Sequence, residues 1–177
     1  AYALRAMFYM DLARMFAPKP YTVDKNSPTV PIVNENSEVE DLLNNPRATN
    51  EAMWAFIIDD LDKAEALLSD AQDENGNVIP GCKRSNVYTP DVTVVYGLKA
   101  RAYLEMGDWA NAAKYAKMAQ EGYTIMDDDT YTNKETGFNT PNSSWMFGMT
   151  FKADDPTILV NDGDSSWGSM MCIEINP

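Results

Sequence analysis

YGLKARAYLEMGDWANAAKYAKMAQEGY, residues 96–123, reads as two helices joined by a very short turn. In the first, Leu98, Ala102, Tyr103 and Leu104 are expected to face inward, with Lys99, Arg101 and Glu105 toward water. Gly107 can take the positive φ that ends a helix, and the Asp108 side chain can cap the next one. In the second helix Ala112, Ala116 and Ala119 fall at i, i+4 and i+7, one stripe of methyl groups. Side chains that small let two helix axes approach to about 8 Å. Gly122 supplies the stop.

The spacing resembles a tetratricopeptide unit. That unit pairs a helix carrying a small residue and a Tyr with a Gly-Asp-aromatic turn and a second helix of spaced Ala. Ala102, Tyr103, Gly107, Asp108, Trp109, Ala112 and Ala119 match. Ala116 stands where a larger aromatic is common, and no Pro follows Tyr123. A generic αα-hairpin is the alternative. Either unit needs further helices stacked on it to cover its apolar faces. The expected fold class is therefore mainly α, with tetratricopeptide-like antiparallel helical hairpins, long irregular loops and a mostly non-helical C-terminal segment.

At 177 residues the chain suits one domain, long enough to bury roughly 70% of its unfolded surface. Apolar residues make up 45%, with four Trp, which argues against disorder. The net charge is −13, with acids spread along the chain. Nucleic acid is thus an unexpected partner, because phosphate binding needs clustered Lys and Arg. The same charge opposes attraction to an anionic membrane surface. No apolar run approaches the roughly 18 residues of a membrane span, and no signal peptide is visible. The chain starts within a helical pattern, without an initiator Met, and is expected to be part of a longer protein.

There is no His, which excludes Ser-His and Cys-His nucleophile pairs and the common His-containing zinc sites. Cys82 and Cys172 lie far apart without CxxC spacing; they could pair in an oxidising compartment, but two free thiols are the expectation.

Upstream of the hairpin, residues 1–16 place Leu4, Phe8, Leu12 and Met15 on one face of an amphipathic helix, ended by Pro18 and Pro20. Residues 17–49 form a long connection, with Val30–Val33 extended. Such loops often signal function or partner contact, though this one could equally just wrap the helices. Residues 50–69 carry the cleanest helical period: Trp54, Ile57, Ile58, Leu61, Ala64 and Leu68 inward, with Asp59, Asp60, Asp62, Lys63 and Glu65 largely opposite. Thr49 or Asn50 caps it. Residues 71–89 are a polar connection. Asp73, Asn75 and Asn77 begin like a calcium loop, but Val78 replaces the required Gly and Arg84 the closing Glu, so a turn is expected. Thr89-Pro90-Asp91 opens the next helix with cap, first-turn Pro and first-turn acid.

The chain divides into a helical scaffold, 1–123, and an irregular aromatic- and Asp-rich segment, 124–177. Residues 145–151 and 170–175 suggest short strands. Asp127–Asp129, Asp154-Asp155 and Asp162/Asp164 could hold a hard cation or act as paired carboxylates, but Asp runs in turns are far more often solvated. No metal site and no cofactor are expected.

In motif order the chain resembles the middle of the SusD/RagB family. Arg5-Ala6, Tyr9 and Leu12 followed by Pro20-Tyr21 look like that family's helix ending in G-x-x-P-Y, with Ala17 in place of the Gly. Arg47–Leu68, RATNEAMWAFIIDDLDKAEALL, is similar to its R-x-S/T-x-x-E…D-L-x-x-A-x-x-L-L segment. Arg84 and then Leu98–Tyr123 look like its R-x-x-K…A-R-x-Y-L-x-M-G-D-W run, although 87–93 lacks the usual Lys-Ala-Ala character. The resemblance covers roughly residues 1–126.

The resemblance implies a non-enzymatic, lipid-anchored outer-membrane protein at the cell surface. Its ligand would be a glycan, its partner a TonB-dependent (SusC-like) transporter, and its only membrane attachment a lipid anchor outside this fragment. Aromatic platforms on irregular loops would stack on sugar rings. Only the segment after Tyr123 offers that mixture, so the expected ligand-binding residues are Trp145, Trp167 and Tyr131, with Asn161 and Asp162 as polar partners. Each aromatic could instead be core. A tetratricopeptide-type protein–protein interaction module is the alternative function, and a carboxylate glycosidase a third.

Overall fold

The computed structural model describes residues 1–133, 135 and 141–148; the side chains of Asp41 and Leu42 fall outside that description. The order of elements is α1 (Tyr2–Phe16), α2 (Val39–Leu43), α3 (Asn50–Leu68), β1 (Ala71–Gln72), β2 (Val78–Ile79), α4 (Val92–Met106), α5 (Trp109–Gln120) and α6 (Asp128–Thr132). It is a mainly α fold. Helices α1, α3, α4 and α5 stack in that sequence. Asn50 at the start of α3 reaches Lys19 just past the end of α1, so those two helices run antiparallel. Arg14 and Glu105 pair near the ends of α1 and α4, which therefore run parallel.

The core is built where these helices meet. α3 buries Met53, Trp54, Ile57, Leu61 and Ala64, and α4 buries Val94, Val95, Leu98 and Ala102. Each large side chain removed from water contributes about 1.5–3 kcal/mol. α1 differs from expectation: its buried face is Ala3, Ala6, Met10 and Ala13, while Phe8 and Met15 are exposed. Three methyl-sized residues let α1 lie close against α3, and close backbone approach wins over burying the larger side chains.

Two charged residues expected toward water are buried. Asp60 is 0% exposed and receives both Nε and Nη2 of Arg5 at 2.7 Å. Lys99 is 2% exposed, holds Asp62 at 2.5 Å and also pairs with Glu65. Buried charge persists when paired this closely. Leu104, expected inward, is 54% exposed, and Ala116 is exposed as well. In α5 Tyr115 takes the inward role instead, stacking on Tyr103 with centroids 5.6 Å apart.

The hairpin turn forms as expected. Gly107 sits at φ 76°, and the Asp108 carboxylate accepts the Asn111 N–H. Thr49 caps α3 by accepting the Ala52 N–H. Asp91 itself is the N-cap of α4, so Thr89 and Pro90 precede the helix rather than opening it. Asp73 accepts the Asn75 and Asn77 N–H groups across the β1–β2 turn, the turn expected there.

The connection 17–49 is not structureless. It contains α2, a bridge between Pro28 and Thr49, and backbone bonds Thr29 to Ala48 and Ala48 to Val30. Two side chains hold it against the helices. Asn50 donates to the carbonyls of Lys19 and Asp24, and Arg47 to those of Thr29, Phe16 and Pro28. Residues 145–148 form no strand, and 149–151 and 170–175 lie outside the described residues. Cys82 is exposed, and Cys172 lies outside them too. No described helix is long and apolar enough to cross a membrane.

Candidate functional site

Past α5 the chain turns at Gly122, φ 86°, and runs along the end of the α4–α5 hairpin. The segment 141–148 returns to the same place. Between them lies an open cleft of about 600 Å³, lined by Gln120, Tyr123, Thr124, Ile125, Met126, Tyr131, Ser144 and Trp145. That volume falls within the usual range of small-molecule sites, about 300–1,000 Å³.

Tyr131 sits in α6, a single turn that Asp127 caps by accepting the Thr130 N–H at 2.7 Å. That bond and the Thr130 side chain hold the Asp127 carboxyl below its ordinary range. Tyr131 is 58% exposed. Trp145 is half-buried, and Gly148 lies against the indole. A Cβ on Gly148 would come within 2.8 Å of two of the indole carbons, so the ring can lie there only beside a glycine.

The 141–148 segment is seated by contacts from far along the chain. Arg84 Nη1 donates to the Met146 carbonyl at 2.5 Å, and the Gly148 N–H donates to the Val87 carbonyl at 3.1 Å. The Met146 sulfur lies 3.3 Å from where a Gly97 side chain would begin, which makes Gly97 the seat for Met146 on α4.

Behind the cleft wall four side chains close a ring. Arg84 Nε contacts Asp91 Oδ2 at 2.8 Å, and Arg84 Nη2 donates to the Tyr123 hydroxyl at 3.0 Å. Thr93 spends its one hydroxyl proton on Asp91 Oδ1 at 2.6 Å. Tyr123 must therefore be the donor in its 2.7 Å contact with Thr93 Oγ1. The ring fixes Tyr123 at the base of the cleft and orients Arg84 toward Met146.

Of the expected ligand-binding residues, the structure brings Tyr131 and Trp145 to one cleft. Trp167, Asn161 and Asp162 lie outside the described residues. Sequence reasoning missed Tyr123, Gln120, Thr124 and Ser144. Tyr123 looked like the end of the scaffold, and no local signal distinguishes a residue that will line a cleft. No three described His, Cys, Asp or Glu side chains converge to hold a metal ion.

No family model matches the sequence, and no curated protein does. Solved structures do. A SusD-like carbohydrate binding protein from Bacteroides vulgatus superposes with a TM-score of 0.65 at 22% identity, covering 85% of this chain and 29% of its own. A protein of the same species whose name assigns it sugar binding gives 0.62 at 26%, covering 82% and 31%. A SusD superfamily protein from Bacteroides fragilis gives 0.54 at 25%, covering 73% and 27%. The chain thus spans under a third of the length of these proteins.

Proposed function

From a chain that carries the SusD-like fold, we propose a part of a non-catalytic protein that binds oligo- or polysaccharide at the cell surface and delivers it to a TonB-dependent, SusC-like outer-membrane transporter. The observation that carries this reading is Tyr131 and Trp145 lining one open cleft beside hydroxyl and amide side chains. An aromatic ring packs against the apolar face of a pyranose, while hydroxyls and amides bond its OH groups. The carbohydrate- and sugar-binding names of two structural relatives support it. Trp167, Asn161 and Asp162 are proposed as further ligand contacts, and a lipid anchor outside these residues as the membrane attachment.

The test is a polysaccharide panel with the full-length protein. Trp145→Ala and Tyr131→Ala should each weaken binding about tenfold, which is about 1.4 kcal/mol. Absence of carbohydrate binding by the folded protein, or variants as tight as the parent, would sink the reading. Mass spectrometry of the native N-terminal peptide tests the placement. An acylated Cys is expected; an unmodified Met on a cytosolic protein would remove it.

A second reading, a protein-interaction module, is favoured by one feature. Leu104, Trp109, Ala112, Ala113 and Ala116 line an open apolar groove of about 360 Å³ between α4 and α5. Trp109→Glu should abolish partner binding under that reading and leave carbohydrate binding intact.

A further inference from the structure

The described groups that line the cleft are uncharged. Gln120, Thr124, Tyr131 and Ser144 offer an amide and three hydroxyls, and Ile125 and Trp145 offer apolar surface. Among the described residues, no Lys or Arg lines it. Arg84, which bonds the cleft-lining Tyr123, has its charge committed to Asp91 and two of its nitrogens to Tyr123 and Met146. Lys117 sits one helical turn before Gln120 on α5 and is not part of the lining.

Carboxylates, by contrast, flank the cleft along the chain. Glu121 follows Gln120, and Asp127, Asp128 and Asp129 lie between Met126 and Tyr131; all four are exposed. A uronate or sulfate entering here would give up water without gaining the cationic fork that repays such a group. Those carboxylates adjoin cleft-lining residues along the chain and would oppose a like charge, an effect that physiological salt screens over roughly 8 Å. A neutral sugar meets neither penalty, because hydroxyl and amide partners suit its OH groups.

We infer that the Tyr131–Trp145 cleft selects uncharged oligosaccharides and discriminates against uronate- and sulfate-bearing ones, an inference that rests on the carbohydrate-binding reading above. The mechanism is exclusion: the described lining offers no cation to an anion, and the acids that flank it along the chain repel one.

The experiment is calorimetric titration of the full-length protein with neutral oligosaccharides, each paired with its own C6-oxidised, uronate-bearing derivative. The neutral members that bind should do so at least about tenfold more tightly than their oxidised partners, the scale of one like-charge contact near a surface. Their affinity should hardly change with salt, whereas residual binding of the oxidised form should strengthen as salt rises. The double variant Asp128→Asn/Asp129→Asn should narrow the neutral-to-uronate ratio several-fold. Oxidised forms that bind as tightly as the neutral ones, or a ratio the double variant leaves unmoved, would overturn the charge selection while leaving carbohydrate binding in place. A folded protein that binds neither form overturns both.

Discussion

Arg84 Nη1 lies 2.5 Å from the backbone carbonyl of Met146, 62 residues further along the chain. The neighbouring residue, Trp145, is one of the two aromatic walls of the cleft. Arg84 comes from a connection without regular structure, yet it also holds Asp91, the cap of α4, and Tyr123, the cleft base. One guanidinium thus ties the helical scaffold to the segment that carries the proposed ligand platform. Three partners in three directions need a planar fork, which Lys lacks. Arg84→Lys should lower stability by about 2 kcal/mol, measured by urea denaturation, and should also weaken carbohydrate binding. An unchanged denaturation midpoint would mean that the segment is seated by other contacts.

Gly148 offers a narrower test of the platform. Alanine there would drive a Cβ to 2.8 Å from two indole carbons, so the Trp145 ring must shift. Overpacking of this kind costs about 1–3 kcal/mol, most of it escapable here because the ring borders an open cleft. Gly148→Ala should therefore weaken ligand binding more than it lowers the melting temperature. Equal binding by parent and variant would show that the ring's position does not matter.

The Arg5–Asp60 pair should dominate stability. Asp60 is wholly buried, and removing Arg5 leaves its charge stranded. Arg5→Met is expected to cost about 3–5 kcal/mol, and Arg5→Met with Asp60→Leu to recover most of that. A double variant no more stable than the single one would contradict this account.

Lys99 looks similar but should behave differently. Burial pulls its ammonium down, yet the bonds to Asp62 and Glu65 outweigh that and hold it above its ordinary 10.5. Those partners reach solvent, Asp62 with 59% of its side chain exposed and Glu65 with 28%. Lys99→Met would strand no buried charge, and Met fills much of the same volume. The loss should stay within about 1 kcal/mol, read from chemical denaturation. A loss matching that of Arg5→Met would refute the distinction.

Acid should destabilise the fold through several held carboxylates. Arg5 holds Glu35 below its ordinary 4.5. Asp70 is held below 3.8 by Lys83, Asp73 by Asn77, Asp108 by the Asn111 N–H and Asp127 by the Thr130 N–H. Near those values the unfolded chain binds more protons than the folded one, so stability rises with pH. Their contribution is complete above the ordinary values and is lost as pH falls through them toward the lowered ones. Lys99 acts in the opposite sense: its contribution is complete below 10.5 and is lost as pH climbs through its raised value. Melting temperatures should accordingly hold near neutrality and fall on both sides. A midpoint that stays flat on acidification below pH 3.8 would exclude the carboxylate contribution.

The features legible in the sequence alone were local. The Gly107-Asp108 turn, the Thr49 cap and the Trp54, Ile57, Leu61 and Ala64 stripe depend on backbone conformation, short-range hydrogen bonds and helical period, all readable within a few residues. The motifs that carried the SusD/RagB resemblance, among them Arg5, Arg47 and Arg84, were also legible, but their work was not. In the structure each clamps a distant stretch of chain. Packing between helices settled that the Ala face of α1 is the buried one, because what counts is how near α3 can come. Tertiary structure likewise decided that Asp60 and Lys99 are interior, since a charge can be buried only where another element supplies its counter-charge. It also brought Tyr131 and Trp145 together over Tyr123, a meeting governed by side chains far apart in sequence rather than by any pattern around the aromatics themselves.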